Sequence, residues 1–202
     1  MKKIKTILVV LFFLVIRATV SQAAITSLNF TGKGYISQNQ SWEISAETGY
    51  IITPNMGWYE DTSGNELSFT FFTPGSNPHW FELAFQAVND DRLEPGMYLG
   101  VGRYPYVYLD APQPTMYLSG DGRGSNQVSG WFQVIEIDWL PSGFVQKAAI
   151  DFYLLSEGNP DSWTFGSLRY NSDTPINPAS VPEPGTTISL LGLLALTLTR
   201  KR

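Results

Sequence analysis

The sequence predicts an all-β domain, an antiparallel β-sandwich or jelly-roll-like fold, carried between two apolar ends. Three observations predict it. Short segments alternate apolar and polar residues with period two, and they are rich in aromatic and β-branched residues. Gly, Pro, Asn and Asp fall between them, as in Thr62-Ser63-Gly64-Asn65, Thr73 to Pro78, Asn89 to Gly96 and Glu157 to Asp161. No segment holds a helical period over three turns, and many short strands at this spacing suggest a sandwich or barrel.

The first element is the N-terminal end, Met1 to Ala23. Lys2, Lys3 and Lys5 precede an apolar run from Ile7 to Ile16, and Ser21 and Ala23 are the small residues that a signal peptidase needs, so cleavage is expected after Ala23. Arg17, close behind the run, is the one departure from that pattern. An uncleaved anchor is the alternative, and the run is short for one.

The body follows, with the domain at residues 24–170 and a linker at 171–180. The strongest alternations lie at Glu66 to Phe72, Trp80 to Val88, Gly130 to Trp139 and Val145 to Leu155. In the third, Trp131, Ile135, Ile137 and Trp139 are expected on one face. In the fourth, Gln146, Ala148, Ile150, Phe152 and Leu154 share a face. Shorter strands are expected at Thr26 to Phe30, Ser41 to Ser45, Tyr50 to Thr53, Met97 to Arg103, Tyr106 to Leu109, Thr115 to Leu118 and Thr164 to Tyr170. Asn171 to Ser180 has Pro175 and Pro178 and little apolar content, which reads as a spacer.

Charge narrows the partners. Seven of the chain's thirteen basic residues lie in the two ends. The body keeps six (Lys33, Arg92, Arg103, Arg123, Lys147, Arg169) against seventeen acidic residues, a net of −11. Such a surface repels nucleic acid and anionic lipid. The chain has no cysteine. Its stability therefore rests on an aromatic core, which about 157 residues can bury.

The last element is the tail, 181–202. Val181-Pro182-Glu183-Pro184 is held extended by its two prolines and stays accessible. An uncharged, leucine-rich run follows at 185–199. Its fifteen residues span roughly 22 Å as a helix, short of the roughly 30 Å hydrocarbon core, a gap that snorkelling and local thinning close. Arg200-Lys201-Arg202 would stay cytoplasmic. These three features in order resemble the PEP-CTERM sorting signal of Gram-negative bacteria, across the last twenty-two residues. The resemblance implies recognition by an exosortase, a membrane-embedded enzyme with a cysteine nucleophile that acts at the motif. Pro182, Glu183 and Pro184 are then substrate residues. It also implies an inner-membrane precursor that reaches the cell surface or the extracellular space. A plain anchor with a proline-rich neck is the alternative.

Part of the body, roughly Gly34 to Ser172, also resembles an uncharacterised exported bacterial β domain. The matching stretches are Leu93-Glu94-Pro95-Gly96-Met97-Tyr98, Arg103-Tyr104-Pro105-Tyr106, Ser119 to Asn126, Ser156-Glu157-Gly158 and Leu168 to Ser172. That family has cysteine in the Gly-Arg-Gly-Cys-Asn motif and again before the Glu-Gly. Here both are serine, Ser125 and Ser156. A paired loss implies that the family's two cysteines form a disulfide. The resemblance brings no activity.

Candidate sites are few. The loop Gly120-Asp121-Gly122-Arg123-Gly124-Ser125-Asn126 offers backbone amides and Arg123 to an anion. It lacks the Lys-Ser/Thr of a P-loop, so a glycine-rich turn whose Arg123 pairs with a carboxylate is the plainer reading. Asn89-Asp90-Asp91 with Glu94 offers oxygens to Ca²⁺ but lacks EF-hand spacing, and Glu60-Asp61 raises the same doubt. His79 is the only histidine, and no Gly-x-Ser-x-Gly elbow marks a nucleophile. One histidine without cysteine makes a poor zinc site. Glu136 and Asp138 share a strand face, which alternation alone explains. No catalytic role, cofactor or metal is expected. Trp42, Trp58, Trp80, Trp131, Trp139 and Trp163 are the surplus. The first expectation is thus an exported surface or matrix protein processed through its tail. The alternative is a carbohydrate-binding module that stacks sugars on exposed aromatics, with Ca²⁺ as an optional aid. A solvent-facing row of two or three Trp or Tyr on one sheet favours the second.

Overall fold

A computed structural model describes residues 23–54, 66–104 and 112–176. The expected signal peptide up to Gln22, the strand at Tyr106 to Leu109, the Glu60-Asp61 turn, Trp58 and the whole tail lie outside the described residues. Among the described residues, no helix is long and apolar enough to cross a membrane.

The described residues form eleven strands: β1 (Ile25–Gly32), β2 (Ser41–Ser45), β3 (Ile51–Pro54), β4 (Leu67–Phe72), β5 (Trp80–Gln86), β6 (Gly96–Leu99), β7 (Gly102–Arg103), β8 (Thr115–Gly120), β9 (Val128–Trp139), β10 (Val145–Ser156) and β11 (Trp163–Ser172). A single 3₁₀ turn, Val88–Asp90, is the one helical piece described. One sheet has six strands in the order β2-β1-β11-β10-β9-β6, and the other has five in the order β3-β4-β5-β8-β7. All described pairings are antiparallel except β7 with β8.

The inward residues of both sheets meet as rings. Phe30 of β1 packs edge-on to Phe81 of β5 at 5.3 Å. Phe85 of β5 touches Phe132 and Phe152 of the opposite sheet at 5.0 and 5.8 Å, and Phe69 meets Tyr170 at 5.3 Å. These phenylalanines are almost fully buried. Each contributes about 1.5–3 kcal/mol relative to exposure, which is how a domain without disulfides holds together. This is the sandwich that the alternation predicted.

Two strands differ from expectation, and backbone geometry gives the reason. The stretch Met97 to Arg103 is two strands in different sheets, because Gly100 takes φ +66° and turns the chain between them. In β9, Ile150 pairs with Val134 and Ala149 with Glu136, so Ile135 is an extra, unpaired residue. This bulge switches the inward set from Phe132 and Val134 to Ile137 and Trp139. Trp131 therefore faces outward, and the single face expected for Trp131, Ile135, Ile137 and Trp139 does not exist.

β11 runs to Ser172, two residues beyond its expected end. Its Arg169 is 1% exposed. The guanidinium donates to the carbonyls of Ile150, Leu168, Thr174 and Pro175 and to the Asp151 carboxylate at 2.9 Å. The start of the expected linker, through Pro175, is thereby tied to the outside of the six-stranded sheet.

Candidate functional site

The outward face of the six-stranded sheet carries the candidate site. Trp131 on β9 pairs with Tyr153 on β10, and Tyr153 pairs with Phe165 on β11. Trp163 lies two residues from Phe165 on the same face, as strand alternation requires. The ring of Tyr153 stands between two indoles. Its centroid is 6.3 Å from Trp131 and 6.5 Å from Trp163, with planes within 20° and 22° of parallel. Phe165 closes the base of the group, edge-on to Trp131 at 6.2 Å. Trp131, Tyr153 and Trp163 are half-buried while Phe165 is covered. Burial pushes the Tyr153 hydroxyl above its ordinary pKa, so it stays a neutral donor and acceptor.

Gly130 fixes this arrangement locally. It has φ +138°, and a Cβ there would meet the Tyr153 carbonyl oxygen at 2.0 Å. Only glycine lets β9 approach β10 so closely beside Trp131. Adjoining the row is a groove of about 370 Å³ lined by residues that include Asn29, Thr31, Ser41, Glu43, Phe165, Ser167 and Ile176. The surface combines flat apolar rings with hydroxyl, amide and carboxylate groups. Such a surface can make apolar contacts through its rings and hydrogen bonds through its polar groups.

The other sequence candidates lie elsewhere. Gly120 and Arg123 exchange both backbone hydrogen bonds at 2.9 Å around Asp121 and Gly122, which have φ +49° and +75°. That is a tight two-residue hairpin turn, and it uses amides that an anion would need. Arg123 pairs with Asp121 at 3.4 Å, the plainer reading of that loop. His79 sits at a loop end, largely exposed, with Nδ1 2.8 Å from Asp121 Oδ2. The second Asp121 oxygen accepts from the Trp80 backbone N–H at 3.0 Å. Burial pushes the Asp121 carboxyl up, but the His79 and Trp80 bonds outweigh it and hold it below the usual range. The histidine has its carboxylate, and no serine joins the described contacts.

Near Asn89, Asp91, Arg92 and Glu94 with Tyr98 help line a polar hollow of about 430 Å³, and Arg92 lies over the Trp139 ring at 5.2 Å. Among the described residues, no three His, Asp or Glu gather to hold a metal. Glu136 is bound by Lys147 at 2.6 Å and by Ser172 at 2.8 Å, a structural network that also reaches Asp173. Ser21, Val181, Pro182, Glu183, Pro184, Arg200, Lys201 and Arg202 lie outside the described residues, and Ala23 opens the described body, exposed, ahead of β1.

Two features escaped the sequence reading. Tyr153 was not singled out, since only strand register places it between the two indoles. On the five-stranded sheet, Glu82 faces outward yet is only 9% exposed, with Oε1 lacking a hydrogen-bond partner. Burial, and then the nearby Glu66 charge, push its carboxyl up to about 7. Tyr104 donates a 2.5 Å hydrogen bond to Glu66. Ser125 and Ser156, the positions at which the resembling family has cysteine, do meet. Both are buried, and their hydroxyls are 2.7 Å apart.

No protein-family model, no curated protein and no solved structure matches this chain.

Proposed function

We propose that this is an exported cell-surface or extracellular-matrix protein without a catalytic role, which holds polysaccharide on the outer face of its six-stranded sheet. The observation that carries the binding reading is the half-open row Trp131–Tyr153–Trp163. Rings left partly in water forgo hydrophobic stabilisation, and three of them aligned on one sheet face offer a contact surface. Sugars packed against them would return that contact. The non-catalytic reading is favoured because no serine joins the His79–Asp121 pair among the described contacts and no Gly-x-Ser-x-Gly elbow marks a nucleophile.

On this reading the N-terminal segment is removed after Ala23, and the tail is a single membrane-spanning helix behind the Val181–Pro184 motif. An exosortase-like enzyme processes the precursor there. The ordered motif, apolar run and basic end support this. Mass spectrometry of the C-terminus from surface and secreted fractions tests it. A terminus at or near Pro182 to Pro184 is expected, whereas an intact Arg202 in every fraction overturns the sorting reading. For binding, the full-length protein in neutral detergent is mixed with insoluble chitin and cellulose. Depletion by at least one is expected, and it is lost in Trp131→Ala. Equal depletion of wild type and Trp131→Ala contradicts the aromatic site.

A further inference from the structure

Strand register extends the aromatic row into the groove. Phe165 of β11 pairs with Thr31 of β1, and Thr31 pairs with Ser41 of β2. Trp131, Tyr153, Phe165, Thr31 and Ser41 therefore form one line across five strands. At about 4.8 Å per strand, its four spacings cover roughly 19 Å, longer than one sugar ring. The neighbouring line on the same face is polar throughout. Gln133 pairs with Asp151, Asp151 with Ser167, Ser167 with Asn29 and Asn29 with Glu43. A ring-bearing line beside a hydroxyl-, amide- and carboxylate-bearing line suits a chain of pyranoses lying across the strands.

Charge selects among such chains. Asp151 is neutralised by Arg169, whose guanidinium is buried and committed to backbone carbonyls. Glu43 has no ion pair among the described residues, and no Lys or Arg is among the groove's lining residues. The body around this face is strongly acidic. A uronate or sulfate group placed here would meet negative charge and no cation.

We propose that this face is an extended, two-part site for a non-acidic polysaccharide. Sugar rings pack their C–H groups against the exposed edge of the Trp131–Tyr153 row, and the following sugars lay their hydroxyls against Asn29, Thr31, Ser41, Glu43 and Ser167. The inference rests on the glycan reading above and adds the chain direction, the second part of the site and the rejection of acidic polymers.

Affinity electrophoresis of the full-length protein in neutral detergent tests it. The gels contain hydroxyethylcellulose or glycol chitin as neutral polymers, or alginate as a uronate polymer. Retardation by a neutral polymer and none by alginate is expected. The paired change Asn29→Ala with Ser167→Ala should weaken retardation at least fivefold. Ser41→Leu, at an exposed edge position where it obstructs the groove and spares the core, should do the same with an unchanged circular dichroism spectrum. Retardation by alginate as strong as by the neutral polymers overturns the charge selection. Wild-type retardation in both groove variants, with loss only in Trp131→Ala, overturns the two-part site and leaves the aromatic reading standing. Absence of retardation by every polymer overturns both.

Discussion

The two outer faces of the sandwich are built by the same alternation and put to different uses. On the six-stranded sheet the outward positions Trp131, Tyr153 and Trp163 are large rings left partly exposed. On the five-stranded sheet, outward Ser68, Glu82 and Ser119 are small or charged and buried, beside the partly exposed rings of Phe72, Trp80 and Tyr117. A face that leaves apolar surface open forgoes stability that burial would give, and a face that buries polar groups pays a desolvation cost. The difference teaches that outward position does not decide exposure. The first face sets three of its rings in one stacked row, and the second buries a carboxyl that makes stability depend on pH.

The largest effect should come from releasing what crosses the first face. Arg169→Leu leaves Asp151 without its partner and frees two carbonyls beyond the strand. We expect a loss of about 3–5 kcal/mol, read as a fall in the urea midpoint. A change under about 1 kcal/mol would mean that the clamp is dispensable.

Next comes the link between β8's hairpin loop and the end of β10. Ser125→Cys with Ser156→Cys should form a disulfide in the oxidised protein, because the two hydroxyls already touch at 2.7 Å in a buried setting. The closed loop should add about 2–4 kcal/mol and raise Tm. Free thiols in the folded, oxidised double variant would show that the pairing implied by the family resemblance does not hold here.

The second face gives the pH test. Glu82 has a folded pKa of about 7 against an ordinary 4.5, so the folded state holds the proton more tightly than the unfolded chain. Its contribution is therefore fully present below about pH 4.5 and is lost as pH rises through 7. Urea midpoints of wild type should fall more between pH 5 and pH 8 than those of Glu82→Gln. Identical pH slopes would place Glu82 in a wetter setting than its burial indicates. The smallest stability effect belongs to the open face: Trp131→Ala should cost about 1–2 kcal/mol, below the 3–5 kcal/mol typical of a core aromatic, while removing glycan binding.

Much of the fold was legible. Residues such as Phe81, Leu83 and Phe85 alternate strictly, and their strand lies where the pattern put it. What escaped was local geometry that period-two counting ignores. The bulge at Ile135 moved Trp131 to the outside, and Gly100 split one expected strand between two sheets. The site was half legible. Trp131 and Trp163 stood out as surplus aromatics, but their alignment depends on pairing across β9, β10 and β11, which no single segment encodes. Arg169 looked like one of six surface cations, and only the returning chain at Thr174 and Pro175 buries it.

Isothermal titration of short neutral oligosaccharides, β-1,4-linked glucose and N-acetylglucosamine oligomers, into wild type, Tyr153→Ala and Glu82→Gln tests the contrast between the faces most directly. Saturable heat for at least one series in wild type and Glu82→Gln, absent in a folded Tyr153→Ala, is the predicted result. Equal binding by Tyr153→Ala and wild type, or loss of binding in Glu82→Gln alone, would contradict the assignment of the binding face.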